Sequence, residues 1–378
     1  MIQASYFLNT LQSLCADFFT GVPDSLLRPF CDELMLQFGI CDRHIVAANE
    51  GAAVGLAAGH YLASGKLGVV YMQNSGIGNA VNPLCSLLHE DVCAIPAILV
   101  IGWRGEPGVK DEPQHIFQGK VTLPLLDTLS ISYGVLSSAT DENELAALAA
   151  GLKTHLDACR PVAFVVQKGA LSNDRKFSYP SAGTLTRERV LELFTSHTDP
   201  RGVYVCTTGK LSREMFELRE QKGEGHERDF LTVGAMGHCL MIALGIALAQ
   251  PQKTVYCLDG DGAMLMHMGS LAVLGAHHPK NLVHLVVNNG AHETVGGMCA
   301  VSSGLKLYEV ARSLGYAHAF RAADEHELVL ILQKVRALHG PVFIEALCNL
   351  SSRSDLGRPT VTPQENKHRL MNYLGAKP

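Results

Sequence analysis

The chain carries little charge and none of it in blocks. Of 378 residues, 31 are Lys or Arg and 36 are Asp or Glu, for a formal net charge of −5. With the basic residues scattered, there is no electrostatic footprint for nucleic acid or for an anionic membrane, so any selective anion site must be local. No window approaches 18 uninterrupted apolar residues, which excludes a membrane-spanning helix. No two of the eleven cysteines are spaced as Cys-x-x-Cys. Most lie in apolar runs and read as reduced core thiols of a cytoplasmic protein. The N-terminal stretch MIQASYFLNTLQSLCADFF has no basic start, no long apolar core and no small-residue cleavage site, and reads as an amphipathic helix rather than a signal peptide.

Two nucleotide signatures are also missing. No G-x-x-x-x-G-K-[ST] occurs, so a P-loop is excluded. SGIGNAV (75–81) follows an apolar run, but Val81 stands where a dinucleotide fingerprint needs its third glycine. The next strand ends in Trp103 rather than in an acid for a ribose, so the Rossmann match is poor.

What is present is a large apolar content, 47% of residues, in a chain long enough for two domains. Short β-rich runs alternate with helical patterns almost from end to end. The predicted strands are HIVAA (44–48), LGVVYMQ (67–73), PAILVIGW (96–103) and PVAFVVQ (161–167), then GVYVCT (202–207), KTVYCLD (253–259), NLVHLVVN (281–288) and PVFIEAL (341–347). Fully apolar strands separated by helices mean parallel sheets covered on both faces. Both halves close alike, on a helix, a break at proline and an apolar strand, at ACRPVAFVVQ and LHGPVFIEAL. The stretch between them is rich in Ser, Gly, Asn and Pro, and Thr186 reads as the N-cap of a following helix. The expected architecture is α/β: two doubly wound parallel-sheet domains at 1–170 and 187–378, a linker at 171–186, and no middle domain. Ligands of such folds bind at the carboxyl ends of the strands.

Gly260-Asp261-Gly262 ends one apolar run, and Asn288-Asn289 ends the next. Two glycines let the backbone approach a phosphate at a helix N-terminus. An aspartate between them can hold a hard divalent cation, and an asparagine oxygen with a backbone carbonyl from the neighbouring strand tip can complete an oxygen shell suited to Mg²⁺. Alone, Gly-Asp-Gly is usually only a turn. The paired asparagines, one helix and one strand later, strengthen the metal reading because the two strand tips would be neighbours.

GDG, 25 intervening residues and NN resembles the diphosphate and metal motif of the thiamine-diphosphate-dependent decarboxylases. That resemblance implies thiamine diphosphate and Mg²⁺ as cofactors. Asp261 and Asn289 become side-chain ligands of the metal, with the carbonyl of Ala291 as a third and Asn288 as the alternative asparagine. Gly260, Gly262 and Ala263 become neighbours of the diphosphate. The family also needs a carboxylate against the N1′ atom of the cofactor's aminopyrimidine, so that its imino tautomer can take the C2 proton. Glu50, at a strand end and opening the helical run EGAAVGLAAGHYLA, matches that position, although an acid at a helix start is also common for the macrodipole alone. Gly209 in TTGKLSRE and His238 in MGHCLMIALG follow strand ends and could lie near the diphosphate. A helix-capping histidine is the competing reading of His238. Met264, Met266 and Met268 read as core, and His277, His278 and His292 receive no role.

The resemblance covers nearly the whole chain and is strongest to the branch of the family acting on phosphonopyruvate, with the sulfopyruvate branch next. TGVPDSLL (20–27), QNSGIGNAVNPL (73–84), GWRGEPGVKDEPQHIFQGK (102–120) and SSRSDLGRPTVTPQENK (351–367) carry it. It implies a small anionic 2-oxo acid substrate and a homo-oligomer, at least a dimer, with the cofactor at the subunit interface. The 102–120 segment would bring Arg104, Lys110, His115 and Lys120 to the sheet's carboxyl edge, and the tail adds Arg353 and Arg358. A solvated loop is the plainer reading of each. Asp24 is a candidate for positioning or proton transfer, against an Asx turn after Pro23.

Overall fold

The computed structural model describes residues 1–179, 181 and 183–376. The chain divides into two compact units, Met1–Tyr179 with Thr294–Met298, and Pro180–Glu293 with Cys299–Pro378.

The first unit is built on six parallel strands: β1 (Ala16–Gly21), β2 (His44–Val46), β3 (Leu67–Gln73), β4 (Ile98–Gly102), β5 (Ser132–Leu136) and β6 (Val162–Val166). Their order across the sheet is β2-β1-β3-β4-β6-β5. Side chains of a strand alternate between faces, and both faces here are covered. On β4, Ile98 and Val100 pack with Phe7, Phe30 and Phe164, whereas Leu99 and Ile101 pack on the other side with Ala53, Val54 and Ala57 of the helix Glu50–Ser64. Alanines let that helix lie close to the sheet.

The second unit repeats the plan with β7 (Val203–Cys206), β8 (Asp229–Leu231), β9 (Val255–Gly260), β10 (Leu282–Asn288), β11 (His318–Ala322) and β12 (Val342–Leu347). All are parallel, in the order β8-β7-β9-β10-β12-β11. Counted from each unit's own first strand, the two orders are identical. In each, the chain turns one way after its first strand and the other way after its second, so the crevice lies between β1 and β3, or between β7 and β9.

Four of the twelve strands, β1, β5, β8 and β11, depart from the expectation. The N-terminal run is not one helix: the helix Ala4–Ser13 ends, Cys15 takes a left-handed φ of 68°, and β1 begins at Ala16. The other three are short and polar at sheet edges or next to them, where one covered flank suffices. Leu171–Ser172, within the expected linker, pairs in parallel with Ile2–Gln3. Pro180 and Ala182 of that linker lie outside the described residues. Thr186 caps the helix Arg187–His197, its hydroxyl accepting from the Arg189 N–H at 3.0 Å. The thiols are less buried than expected: Cys31, Cys206, Cys239, Cys257 and Cys348 are core, but Cys15, Cys41, Cys85 and Cys93 are exposed. Met264 and Met266 are buried, whereas Met268 is exposed because the chain turns outward after the short helix Asp261–Met266.

Candidate active site

In the second unit β9 runs through Gly260, and Asp261 opens the next helix at the sheet's carboxyl edge. Asp261 is only 3% exposed. Its carboxylate accepts from the Ser302 hydroxyl and from the backbone N–H groups of Gly262 and Asn289. Burial nonetheless pushes the acid up to about 6. A carboxylate whose ionisation the protein resists this strongly is stabilised once a cation is set against it.

The two asparagines at the tip of β10 are held differently. Asn288 is buried, with Nδ2 donating to Glu345 Oε1 at 2.8 Å and Oδ1 accepting from the Gly290 N–H at 3.0 Å. Asn289 is half-buried, accepts from the Ala291 N–H at 3.1 Å, and donates through Nδ2 to Glu293 Oε2 over 3.4 Å. Glu293 is in turn bound to Arg187, which grips Glu214 in the core. This brace behind Asn289, and Ser302 beside Asp261, carry no sequence signal because their partners are distant in the chain.

Gly209 takes a left-handed φ of 96° ahead of the helix Lys210–Lys222, with no atom within 4 Å of the place a Cβ would occupy. That conformation and that clearance fit a close approach by an anion. His238 precedes the helix Cys239–Ala249, is exposed, and lies with its ring 4.5 Å from that of His267. Ala263 is buried behind Asp261, and Gly260 faces open space. His292, given no role from sequence, lies over Gly262, where an added Cβ would stand 3.4 Å from its ring. Gly209, His238, Asp261 and Asn289 follow β7, β8, β9 and β10, four adjacent strands. Carboxylate, amide and backbone oxygens are the donor set a hard divalent ion takes.

The first unit gathers its candidates in the same way, after β1 to β4. Glu50 opens its helix behind Asn49, whose side chain accepts from the Gly51 N–H at 2.8 Å. Glu50 is 5% exposed, and its Oε2 accepts from Asn79 Nδ2 at 2.8 Å. A Cβ at Gly76 would stand 2.4 Å from Oε1, so the loop after β3 closes on the carboxylate through a glycine. Burial raises the Glu50 acid, and the Asn79 bond opposes it.

Asp24 is 4% exposed and does form the Asx turn, accepting from the Leu26 N–H at 2.9 Å. Burial still raises it to about 6, against the pull of that N–H and of Arg104. Arg104 is not a free cation. It makes a fork with Asp111 at 2.8 and 2.5 Å and donates to Ser25 at 3.1 Å. The fork holds Asp111 well below the usual carboxylate range. His115 is buried with Nδ1 lacking a partner among the described residues, and burial lowers its pKa. Lys110 and Lys120 are exposed. Arg353 is turned to other use: Glu188, Glu217 and Asp355 all bind it, fastening the tail to the helices Arg187–His197 and Lys210–Lys222. Arg358 is exposed.

Each of the two sheets carries a buried carboxylate at its carboxyl edge, Glu50 in the first unit and Asp261 in the second. Residues 1–131 match the N-terminal TPP-binding domain of thiamine pyrophosphate enzymes, and residues 207–346 match their C-terminal TPP-binding domain. The chain belongs to this family of enzymes. Within it, the chain is 35% identical over 402 residues to the phosphonopyruvate decarboxylase of Streptomyces viridochromogenes, covering 100% of this chain and 96% of that one. The phosphonopyruvate decarboxylase of Streptomyces hygroscopicus is 35% identical over 397 residues, with 99% and 94% covered. The sulfopyruvate decarboxylase of Methanosarcina acetivorans is 25% identical over 388 residues, with 91% and 97% covered. No helix among the described residues is long and apolar enough to cross a membrane.

Proposed function

We propose that this enzyme decarboxylates 3-phosphonopyruvate to phosphonoacetaldehyde and CO₂, with thiamine diphosphate and Mg²⁺, in phosphonate biosynthesis. The observation that carries the reading is identity of 35% sustained over the whole chain with two decarboxylases named for that substrate. The weaker likeness to a sulfopyruvate decarboxylase makes the sulfonate the natural comparison substrate.

When bound, the cofactor supplies the electron sink for loss of CO₂. The chain's own residues bind, orient and move protons. In this reading residues 1–170 form the pyrimidine-binding domain and 187–378 the diphosphate-binding domain. Asp261, Asn289 and the carbonyl of Ala291 would hold Mg²⁺, the counter-charge that a diphosphate needs. Gly260, Gly262, Ala263, Gly209 and His238 line the phosphates. Asn288 is buried against Glu345, whereas Asn289 stands half-buried at the strand tip, which supports Asn289 as the ligand.

Glu50 holds a proton at N1′ of the aminopyrimidine. Its burial without a cationic neighbour among the described residues suits a carboxylate that shares a proton with a ring nitrogen. Asp24, raised to about 6, can give or take a proton near neutral pH. Arg104, Lys110 and His115 face the substrate's anionic groups, with Asp111 presenting the Arg104 fork. The working form is a cytoplasmic homo-oligomer, at least a dimer, with the cofactor between subunits.

The test is CO₂ release from phosphonopyruvate with and without thiamine diphosphate and Mg²⁺, beside sulfopyruvate under the same conditions. Release that needs both cofactors and strongly favours the phosphonate supports the reading. A preference for the sulfonate transfers the enzyme to the other branch.

A further inference from the structure

Three metal-ligating side chains meet in the core of the second unit, below the sheet's carboxyl edge. Cys257 and Asp259 are two residues apart on β9 and so share one face, while His284 stands opposite Cys257 on β10. One ligand atom from each lies within 4.8 Å of the other two, and none of the three residues is more than 1% exposed.

Hydrogen bonding leaves the facing nitrogen of His284 open. His284 Nδ1 meets the Tyr316 hydroxyl at 3.0 Å, and Asp259 Oδ1 accepts from the Gly260 N–H at 2.9 Å. His284 Nε2, fully buried, has no hydrogen-bond partner among the described residues. An orphaned buried nitrogen is uncommon and calls for a cause. His284 and Asp259 each have an outer partner on one atom and a second atom turned toward the other ligands, the arrangement that metal-bound imidazoles and carboxylates show.

The spacing separates a metal shell from a hydrogen-bonded pair. His284 Nε2 lies 3.6 Å from Asp259 Oδ2. A hydrogen bond would bring these atoms to about 3 Å. Around a tetrahedral Zn²⁺ with bonds of about 2.0–2.3 Å, neighbouring N and O ligands stand roughly 3.3–3.5 Å apart. The neighbouring Cys239 Sγ, 3.4 Å from Cys257 Sγ, is turned to the Val205 carbonyl at 3.2 Å and stands outside this group.

We infer that Cys257, Asp259 and His284 form a structural site for a borderline-soft divalent ion, Zn²⁺. It is separate from the all-oxygen donor set at Asp261. Loading exchanges the Cys257 thiol proton for one dication. The ion ties β9 to β10, stiffening the strand from which Asp261 projects. Because the ligands are sealed in the core, the ion enters during folding and resists chelators afterwards.

The experiment is metal analysis of the full-length protein after EDTA treatment and gel filtration. One Zn²⁺ per chain should remain, and it should be released only when the protein is unfolded beside a chromogenic chelator. Protein refolded with Co²⁺ in place of Zn²⁺ should show thiolate-to-cobalt charge-transfer absorption. Cys257→Ser and His284→Ala should lose the ion, while Asp261→Asn keeps it. Wild-type protein that retains no transition metal and takes up neither Zn²⁺ nor Co²⁺ on refolding overturns the inference whatever the variants do. Cobalt bound without a thiolate band overturns the ligand set.

Discussion

Glu50 and Asn79 are joined by a 2.8 Å hydrogen bond, in which the amide donates to a carboxylate otherwise sealed from water. Burial raises the Glu50 acid and this bond lowers it. Asn79→Ala removes the lowering influence, so the folded-state pKa rises further. A hydrogen bond to a charged group is worth about 1.5–3 kcal/mol, which corresponds to at most roughly 1–2 pH units. If Glu50 must be ionised for turnover, the acidic limb of the kcat/KM profile should move to higher pH, with the alkaline limb unchanged. A profile that does not move would detach Asn79 from the chemistry.

Gly76→Ala tests the same contact from the other side. The new methyl would overlap Glu50 Oε1, and the carboxylate must move. We expect folding and cofactor binding to survive while activity falls by an order of magnitude or more, since misplacement by about 1 Å can cost about a hundredfold. Circular dichroism and calorimetric titration with thiamine diphosphate separate this from unfolding.

Glu50→Gln keeps the size of the side chain and most of its hydrogen bonding but cannot stabilise a protonated N1′. Cofactor affinity should change little, whereas turnover should drop by orders of magnitude. Exchange of the cofactor's C2 proton, followed by NMR after acid quench, should slow in parallel. Wild-type exchange in the variant would refute the role.

Asp261→Asn should have opposite effects on binding and on metal-free stability. Loss of the carboxylate should abolish retention of Mg²⁺ and thiamine diphosphate. Without metal, an acid raised to about 6 from 3.8 binds its proton more tightly folded than unfolded, so its contribution to stability falls as pH climbs from about 4 to about 6 and stays low above that. At pH 7 the metal-free variant should therefore melt higher than metal-free wild type, by an amount of order 2–3 kcal/mol at most. The gap should close by pH 4.

Arg104→Ala addresses substrate choice. If the guanidinium held by Asp111 grips the phosphonate, KM for phosphonopyruvate should rise roughly ten- to a hundredfold, the equivalent of about 1.5–3 kcal/mol. Any activity on pyruvate, which lacks the phosphonate, should barely change. Equal losses on both acids would assign Arg104 to the shared carboxylate or to the loop. Asp111→Asn should produce a weaker version of the same pattern, since it loosens the fork without removing the charge.

By itself the sequence determined the class of fold and singled out two carboxylates, Glu50 and Asp261, that the structure finds buried. Buried parallel strands are apolar throughout, so β3, β4, β6, β9, β10 and β12 stand out as continuous runs. Gly260-Asp261-Gly262 and Asn288-Asn289 are local signals, because a strand, a tight turn and a helix start occupy consecutive residues. Strands near a sheet's edge need no such run, which is why Ser132–Leu136, Asp229–Leu231 and His318–Ala322 were silent. Ala16–Gly21 was hidden for another reason. The turn at Cys15 uses a left-handed residue that is neither Gly nor Asn, so an apolar helix and an apolar strand read as one.

Only the tertiary structure decided how each charged group is partnered. Arg104 and Arg353 are both basic residues in polar segments, yet Arg104 is forked to Asp111 near Asp24, while Arg353 is divided among three carboxylates that fasten the tail. Asn288 and Asn289 are adjacent and chemically identical, and it is the Glu345 carboxylate on β12, 57 residues away in the chain, that takes one amide into the core and leaves its neighbour at the edge. The pairings of Gly76 and Asn79 with Glu50, of Ser302 with Asp261, and of Cys257 with His284 arise the same way. Strand order sets which loop tips become neighbours, and that order follows from how helices pack across a twisted sheet, which no local run of residues encodes.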